Sequence, residues 1–561
     1  MSDTDWNLIH NVHLNGSYKV TKAAWTIFQQ QKFGRIIMTS SAAGIYGNYG
    51  QANYSAAKMG LHGFCLSLSK EGASKNIHCN TIAPLAASRL TESVMPPEIL
   101  KALKPEYVAP FVAYLCHENC VENGSLFEVG AGFISKLRIE RSNGLLMNVK
   151  DKSFTPSGVA QVFEKAKDFS RCSHPSTIAE VDWMDLIERS KKVPNVKEAQ
   201  GKSFKDKIAL VTGAGGGLGQ QYAIMLAKNG AVVVVNDFSK EHADKVVAEI
   251  VALGFKAVPN YESVINGKNI IESVVSQFGR IDILINNAGV LRDKSFSKMT
   301  DKEWNFVIDV HLNGSYHVTK AAWPYMMKSK YGRIINTASA VGLYGNFGQA
   351  NYSSAKAALI GFTKVLALEG SRFNINANCV APNAGTQMTA TVLPSDMIEV
   401  LKPDYVAPFV GYLCLEDCQE SGNVFEIGSG WCAQVKWQRS AGHKFALTNL
   451  NLETINDKWS KVISFEVGST YPSTPQESFT LMYSPQSHVS ETASGSFEYT
   501  DRDVILYNLG IGAHKDELPF VYENDSKFCA IPSFGVIPSF STMMAANFDE
   551  YLENFSPVKN F

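Results

Sequence analysis

The sequence predicts an α/β fold built on a doubly wound parallel sheet, present once in full and once cut short. Between Lys207 and Ile427, short apolar runs alternate with helical stretches, the order expected of a parallel sheet covered on both faces. A glycine-rich turn follows the first of those runs and opens a helix. The chain also repeats itself. WNLIHNVHLNGSYKVTKAAW around Trp6 returns as WNFVIDVHLNGSYHVTKAAW around Trp304, and GNYGQANYSAAK ending at Lys58 returns as GNFGQANYSSAK ending at Lys356. The offset is constant, 352 − 54 = 298 for the tyrosines and 382 − 84 = 298 for the prolines. Solenoid repeats run at about 20–50 residues, so this is a duplicated domain.

In the second copy, Lys207–Thr212 reads as a first strand and the helix after its glycine turn runs through Asn229. Ala231–Asn236 is continuously apolar, as suits a strand buried on both faces. Lys256–Val258, Ile281–Ile285, Arg333–Thr337 and Asn376–Val380 follow as strands, and Val424–Ile427 is expected to close the sheet. Helices are expected at Lys240–Leu253, Asn269–Phe278, Asp301–Met327 and Gln349–Ser371. The repeated unit ends near Thr177 and Thr474, after matching tails with Arg141 and Arg439, Phe163 and Trp459, Phe169 and Phe465, and His174 and Tyr471. Residues 178–204 and 475–495 read as linkers, and residues 496–561 have a different character.

Composition bounds the class. With 561 residues, 45% hydrophobic and 19% charged, the chain has material for several cores. A formal net charge of −1 argues against nucleic-acid or membrane binding through bulk electrostatics. No run of about 18 apolar residues suggests a membrane span, and the start, MSDTDWNLI, has no secretory pattern. Cys116 and Cys120, like Cys414 and Cys418, are four apart but lack the ligand set of a metal clip, so they are expected as buried thiols at a helix end, with no metal site.

The turn Thr212-Gly213-Ala214-Gly215-Gly216-Gly217-Leu218-Gly219 can bring a pyrophosphate close to backbone amides at a helix N-terminus. Asp237 ends the second strand, 237 − 219 = 18 residues on, where a carboxylate can take both ribose hydroxyls and repel a 2′-phosphate. That favours NAD over NADP, the alternative being Asp237 as a helix N-cap. Asn286-Asn287-Ala288-Gly289 would line the same crevice or form a turn. Tyr352 and Lys356, four apart on one helix, share a face. Free tyrosine, with a pKa of about 10, is a poor base at neutral pH, and an adjacent ammonium favours the phenolate. Ser339 precedes Tyr352 by 352 − 339 = 13 residues and follows a strand.

With these motifs together, both copies resemble the short-chain dehydrogenase/reductase family, whose sheet is Rossmann-like. More narrowly, HLNGSY, KAAWP, GNFGQANYSSAK, APNAGT and the later YTDRDVILYNLGIGA resemble the fungal multifunctional type 2 enzymes of peroxisomal β-oxidation. The resemblance implies an NAD-dependent (3R)-3-hydroxyacyl-CoA dehydrogenase acting on an acyl-CoA. In it Tyr352 is the acid/base, Ser339 the alcohol binder, and Lys356 the ribose contact that lowers the tyrosine pKa. Thr212, Gly213, Gly217, Leu218, Gly219, Asp237 and Asn287 would hold the dinucleotide. The fourth catalytic member stays open, since His311 stands where the family often has Asn, with Asn313 two residues on.

The first copy keeps Ser41, Tyr54 and Lys58 but has no glycine turn, no second-strand Asp and no Asn-Asn-Ala-Gly. It is expected to be inactive alone, its edge in need of cover. The resemblance implies that its surviving long helices pair subunits, so a homo-oligomer or an intramolecular pseudo-dimer is expected. Residues 496–561 resemble the start of a hydratase 2 domain, a partial hot-dog fold, without the G-D-x-N-P-x-H-like run of its catalytic half, so no hydratase activity is expected. Competing readings are an NAD-dependent dehydrogenase of a steroid or other secondary alcohol, and a non-catalytic fragment or docking remnant. Peroxisomal residence is implied by the resemblance only, since Lys559-Asn560-Phe561 is not a peroxisomal address; otherwise the chain reads as cytoplasmic.

Overall fold

A computed structural model of the chain describes residues 1–87, 103–194, 196, 203–385 and 395–483. The partial hot-dog expected at 496–561 lies outside them. Residues 1–483 form one compact unit, whose strands are β1 (Gly34–Thr39), β2 (Ile77–Leu85), β3 (Leu126–Gly130), β4 (Phe133–Arg141), β5 (Leu145–Leu146), β6 (Ile208–Thr212), β7 (Val232–Asn236), β8 (Ala257–Asn260), β9 (Ile283–Asn286), β10 (Gly332–Thr337), β11 (Ile375–Pro382), β12 (Val424–Gly428), β13 (Trp431–Arg439) and β14 (His443–Lys444). All but two lie on one path, β1-β2-β3-β4-β13-β12-β11-β10-β9-β6-β7-β8, with β5 added to β13 and β14 to β4. Within each copy the core strands pair in parallel, as their two-sided apolar burial requires. Among the described residues, no helix is long and apolar enough to cross a membrane.

The sheet does not close at β12, as the sequence reading expected. A tight turn with Ser429 and Gly430 both at positive φ reverses the chain into the antiparallel β13, and Ala131-Gly132 does the same before β4. Two central residues at positive φ are the mark of the turn whose twist suits a two-stranded hairpin. β13 then pairs antiparallel with β4, so the two copies share one sheet. Ile139 faces Trp437 in that register, and 437 − 139 = 298, so each strand lies against its own duplicate about a local two-fold axis. Two other expectations change. A helix, Trp183–Ser190, occupies part of the expected first connector, and Pro475–Tyr483 is helical at the start of the second.

Reciprocal contacts run across the axis. Arg141 of β4 reaches Glu426 of β12 at 2.9 Å, and Arg439 of β13 reaches Glu128 of β3 at 3.0 Å. The Trp6 indole donates to Asn313 Oδ1 at 2.9 Å, and Trp304 donates to Asn15 Oδ1 at 3.0 Å. Trp6 stacks on Tyr316 and Trp304 on Tyr18, with ring centroids 3.8 and 4.1 Å apart. The long helices Ala52–Gly72 and Ala350–Gly370 pack together, and Ser353 donates to the Gly63 carbonyl at 2.7 Å. A Cβ on Gly63 would fall 2.4 Å from Ser353 O, and one on Gly361 2.4 Å from Ser55 O, so only glycine permits this approach.

Arg439 and Glu128 are both almost fully buried. Removing one partner of such a pair leaves an uncompensated charge in a dry interface. Arg439→Leu is therefore expected to cost about 3 kcal/mol, seen as a lower urea midpoint for the unit formed by residues 1–483. An unchanged midpoint would show that the pair carries no weight.

Candidate active site

The glycine turn joins β6 to the helix Gly217–Lys228. Gly213 holds φ at 61°, and a Cβ on Gly219 would lie 2.3 Å from Gly213 O, so the turn and the first helical turn are wedged together. Gly217, also at positive φ, begins the helix, and Leu218 is partly buried against the core. Thr212 is buried. Its hydroxyl accepts from the amides of Asn287 and Ala288 at 3.0 and 3.1 Å. The Asn287 amide donates back to Thr212 O and Gly213 O at 3.1 and 3.2 Å. Thr212 and Asn287 thus tie the ends of β6 and β9 together and fix the turn.

Asp237 is not a helix cap. Ser239 caps Lys240–Ala252, while Asp237 accepts from the Gly215 amide at 3.0 Å and the Ser239 amide at 2.9 Å. Its carboxylate therefore stands beside the glycine turn. A Cβ on Gly216 would meet nothing within 4 Å, and no side chain caps the helix that starts there. An open cradle of backbone at a helix N-terminus, flanked by a carboxylate, fits the pyrophosphate and ribose of a dinucleotide.

On the other side of the crevice, Ser339 caps the short helix Ala340–Tyr344, and its hydroxyl acts to lower the pKa of the Tyr352 phenol. Tyr352 and Lys356 share a face of Ala350–Gly370, with Lys356 Nζ 5.5 Å from the centre of the tyrosine ring. Electrostatically the pair departs from expectation. Burial pushes Tyr352 up to about 12, with the Ser339 hydrogen bond opposing and Asp293 reinforcing. Burial drives Lys356 down to about 7, its ammonium turned to Thr337 O at 2.5 Å. Desolvation dominates at both residues, so the phenol is a weaker acid than free tyrosine.

His311 links the two halves. It lies in the wide-turn segment Asp309–Asn313, a π-helical insertion of the kind frequent at functional sites. Its Nε2 sits against the backbone of Val290, 3.0 Å from N and 2.8 Å from O, and its ring meets Tyr352 edge-to-face at 5.2 Å. The loop after β9 thus touches the glycine turn through Asn287 and the tyrosine through His311. Burial and the charge of Lys356 hold His311 neutral, far below the usual imidazole range. Asn313 instead donates to Asp309 and accepts from Trp6, facing the other copy. The sequence carried one signal for His311, the run HLNG kept in both copies.

The truncated copy keeps the same small cluster. Lys58 Nζ reaches Thr39 O at 2.7 Å, His13 meets Tyr54 edge-to-face at 5.3 Å, and the Ser41 hydroxyl acts against burial to lower the Tyr54 pKa. Among the described residues, β1 pairs only with β2, with no glycine turn beside it. Of the paired thiols, Cys120, Cys414 and Cys418 are buried, but Cys116 is exposed, because its helix presents that end to solvent.

Residues 1–96 and 207–396 match the short chain dehydrogenase family, taking in parts of both copies. The chain belongs to that family. Residues 497–560 match the multifunctional enzyme type 2 hydratase 2 N-terminal domain. This short chain dehydrogenase is 46% identical to the peroxisomal hydratase-dehydrogenase-epimerase of Neurospora crassa, over 100% of this chain and 65% of that protein. It is 44% identical to the Saccharomyces cerevisiae protein of the same description, over 99% of this chain and 64% of that one. The peroxisomal multifunctional enzyme type 2 of Mus musculus is 42% identical over 63% of this chain and 56% of its own length. The chain thus spans about two-thirds of the fungal relatives.

The depressed Lys356 has a consequence for stability. Its folded pKa of about 7 lies below the ordinary 10.5, so between those values the unfolded chain holds a proton that the folded one has shed. Raising the pH from about 7 to about 10 therefore favours the fold. Relative to Lys356→Met, the parent is expected to gain melting temperature across that window, measured without ligand. Parallel pH profiles for the two proteins would rule out the buried, neutral lysine.

Proposed function

We propose that the second copy is an NAD-dependent (3R)-3-hydroxyacyl-CoA dehydrogenase of fatty-acid β-oxidation. The observation that carries this reading is the pairing, in one copy only, of an open glycine cradle flanked by Asp237 with the Ser339, Tyr352 and Lys356 cluster. A nicotinamide dinucleotide held on Thr212, Gly213, Gly217, Leu218, Gly219, Asp237 and Asn287 would supply the hydride acceptor. Asp237, already drawing two amides, would take the ribose hydroxyls, and its charge disfavours a 2′-phosphate. Ser339 holds the substrate alcohol oxygen, and Tyr352 Oη takes its proton as the carbonyl forms.

A phenol pushed up to about 12 is a poor base, so the free site needs retuning before it works. Lys356 provides the means. Ribose hydroxyls beside its Nζ would stabilise the ammonium, and a full positive charge next to Tyr352 would favour the phenolate. His311 keeps the ring of Tyr352 in place from the side. The acyl-CoA substrate rests on the likeness to relatives described as peroxisomal hydratase-dehydrogenase-epimerases, which also supports residence in the peroxisome. The first copy, packed against the second along the helices Ala52–Gly72 and Ala350–Gly370, acts as a structural partner. These 561 residues hold no G-D-x-N-P-x-H-like run, and enoyl-CoA hydration is not assigned to them.

With a (3R)-3-hydroxyacyl-CoA and NAD, Tyr352→Phe is expected to lower kcat by about 10²–10⁴-fold while Tyr54→Phe leaves it unchanged, both read from NADH formation. Loss of activity in the Tyr54 variant alone would move the chemistry to the other copy. Asp237→Ser is expected to raise KM for NAD by about tenfold and to lower KM for NADP, since the repelling charge is gone. Equal effects on both cofactors would remove Asp237 from the ribose site.

A further inference from the structure

Two copies about a local two-fold should fill the space beside the axis alike, and in one place they do not. Ile139 of β4 and Trp437 of β13 face each other at the centre of the shared sheet. On one side the Trp437 ring packs edge-on against His62 of the first copy, with centroids 5.6 Å apart. The mirror pair is Ile139 and Ile360, where 360 − 62 = 298, and both residues are smaller. On that side a cavity of about 410 Å³ remains, walled by Tyr46, Ile139, Leu343, Ile360 and Trp437.

The same side differs in charge. Lys364 lines the cavity where its duplicate, 364 − 298 = 66, is Leu66. The backbone environments correspond, since Gly47 lies against Lys364 as Gly345 lies against Leu66. The nearest acceptor of Lys364 Nζ is Gly422 O at 3.4 Å, and among the described residues it has no ion pair with a carboxylate. Lys436, which also lines the cavity, is already satisfied by Glu140 at 3.1 Å and by the rings of Phe169 and Tyr471. Burial lowers the Lys364 pKa, the mark of an ammonium short of a counter-charge.

We propose that this cavity binds a single-chain amphipathic carboxylate, its head paired with Lys364 and its tail against Ile139, Leu343 and Ile360. The volume falls in the range of small-molecule sites, and the lining sets apolar Ile139, Leu343 and Ile360 beside polar groups that include Lys364 and Gln434, as suits an amphipathic ligand. A half-buried ammonium with no carboxylate beside it gains from a counter-charge brought in with the ligand. The site is separate from the Tyr352 crevice, so it stands or falls independently of the dehydrogenase reading.

Titration calorimetry of the full chain with dodecanoate is expected to show saturable one-to-one binding, at least tenfold weaker for dodecanol. Lys364→Met should weaken dodecanoate by about tenfold or more without changing dodecanol. Ile139→Trp, which installs the side chain found on the mirror position, should abolish both. If the tryptophan variant fails to fold, as judged by its melt, the Lys364 variant decides alone. Absence of saturable binding, equal affinity for acid and alcohol, or dodecanoate binding that survives the variants would overturn the proposal, the last by assigning it to the crevice around Tyr352.

Discussion

Two buried arginines are each met by a carboxylate, and in both cases that carboxylate comes from the other copy. Arg141 needs Glu426, and Arg439 needs Glu128. These crossed pairs flank the strands β4 and β13, whose antiparallel register sets each against its own duplicate. Neither copy can bury its arginine without the other. That requirement fixes the two halves face to face and brings the helices Ala52–Gly72 and Ala350–Gly370 into contact. The second of those helices carries Tyr352 and Lys356. The first copy therefore forms a wall behind that helix.

Much of this was legible in the residues. The parallel strands of the second copy fall within a few residues of their apolar runs because two-sided burial leaves a continuous signal. Tyr352 and Lys356 share a face, as four-residue spacing on a helix dictates. What escaped was β13 and its duplicate β4. Trp431–Arg439 interleaves Gln434, Lys436 and Gln438 with apolar residues, and it lies between β12 of its own copy and β4 of the other. A pairing between positions about 300 apart leaves little local trace. The role of His311, named from the sequence but left open, needed the structure for a different reason: its ring reaches Tyr352 through a widened helical turn.

Exclusion of water dominates the electrostatics of the crevice. Proximity of Lys356 favours a charged phenol, whereas exclusion of water disfavours any charge on either group. With no ligand, exclusion wins at both residues: Tyr352 is held protonated and Lys356 is half neutral near physiological pH. The same imbalance occurs in the other copy, where Lys58 is brought down to about 8 and Tyr54 is raised. These side chains form the same cluster in both copies. Their presence is thus weak evidence of chemistry until the cradle is found beside them.

Joining two duplicates in one polypeptide changes how such an interface evolves. In an assembly of identical subunits, any exchange beside the axis happens on both sides at once, and a change that suits only one side is forbidden. Here Leu66 and Lys364, or Ile139 and Trp437, occupy corresponding places yet need not match. Covalent linkage has released the symmetry while the crossed arginines preserve the docking, so each flank is free to acquire a character of its own.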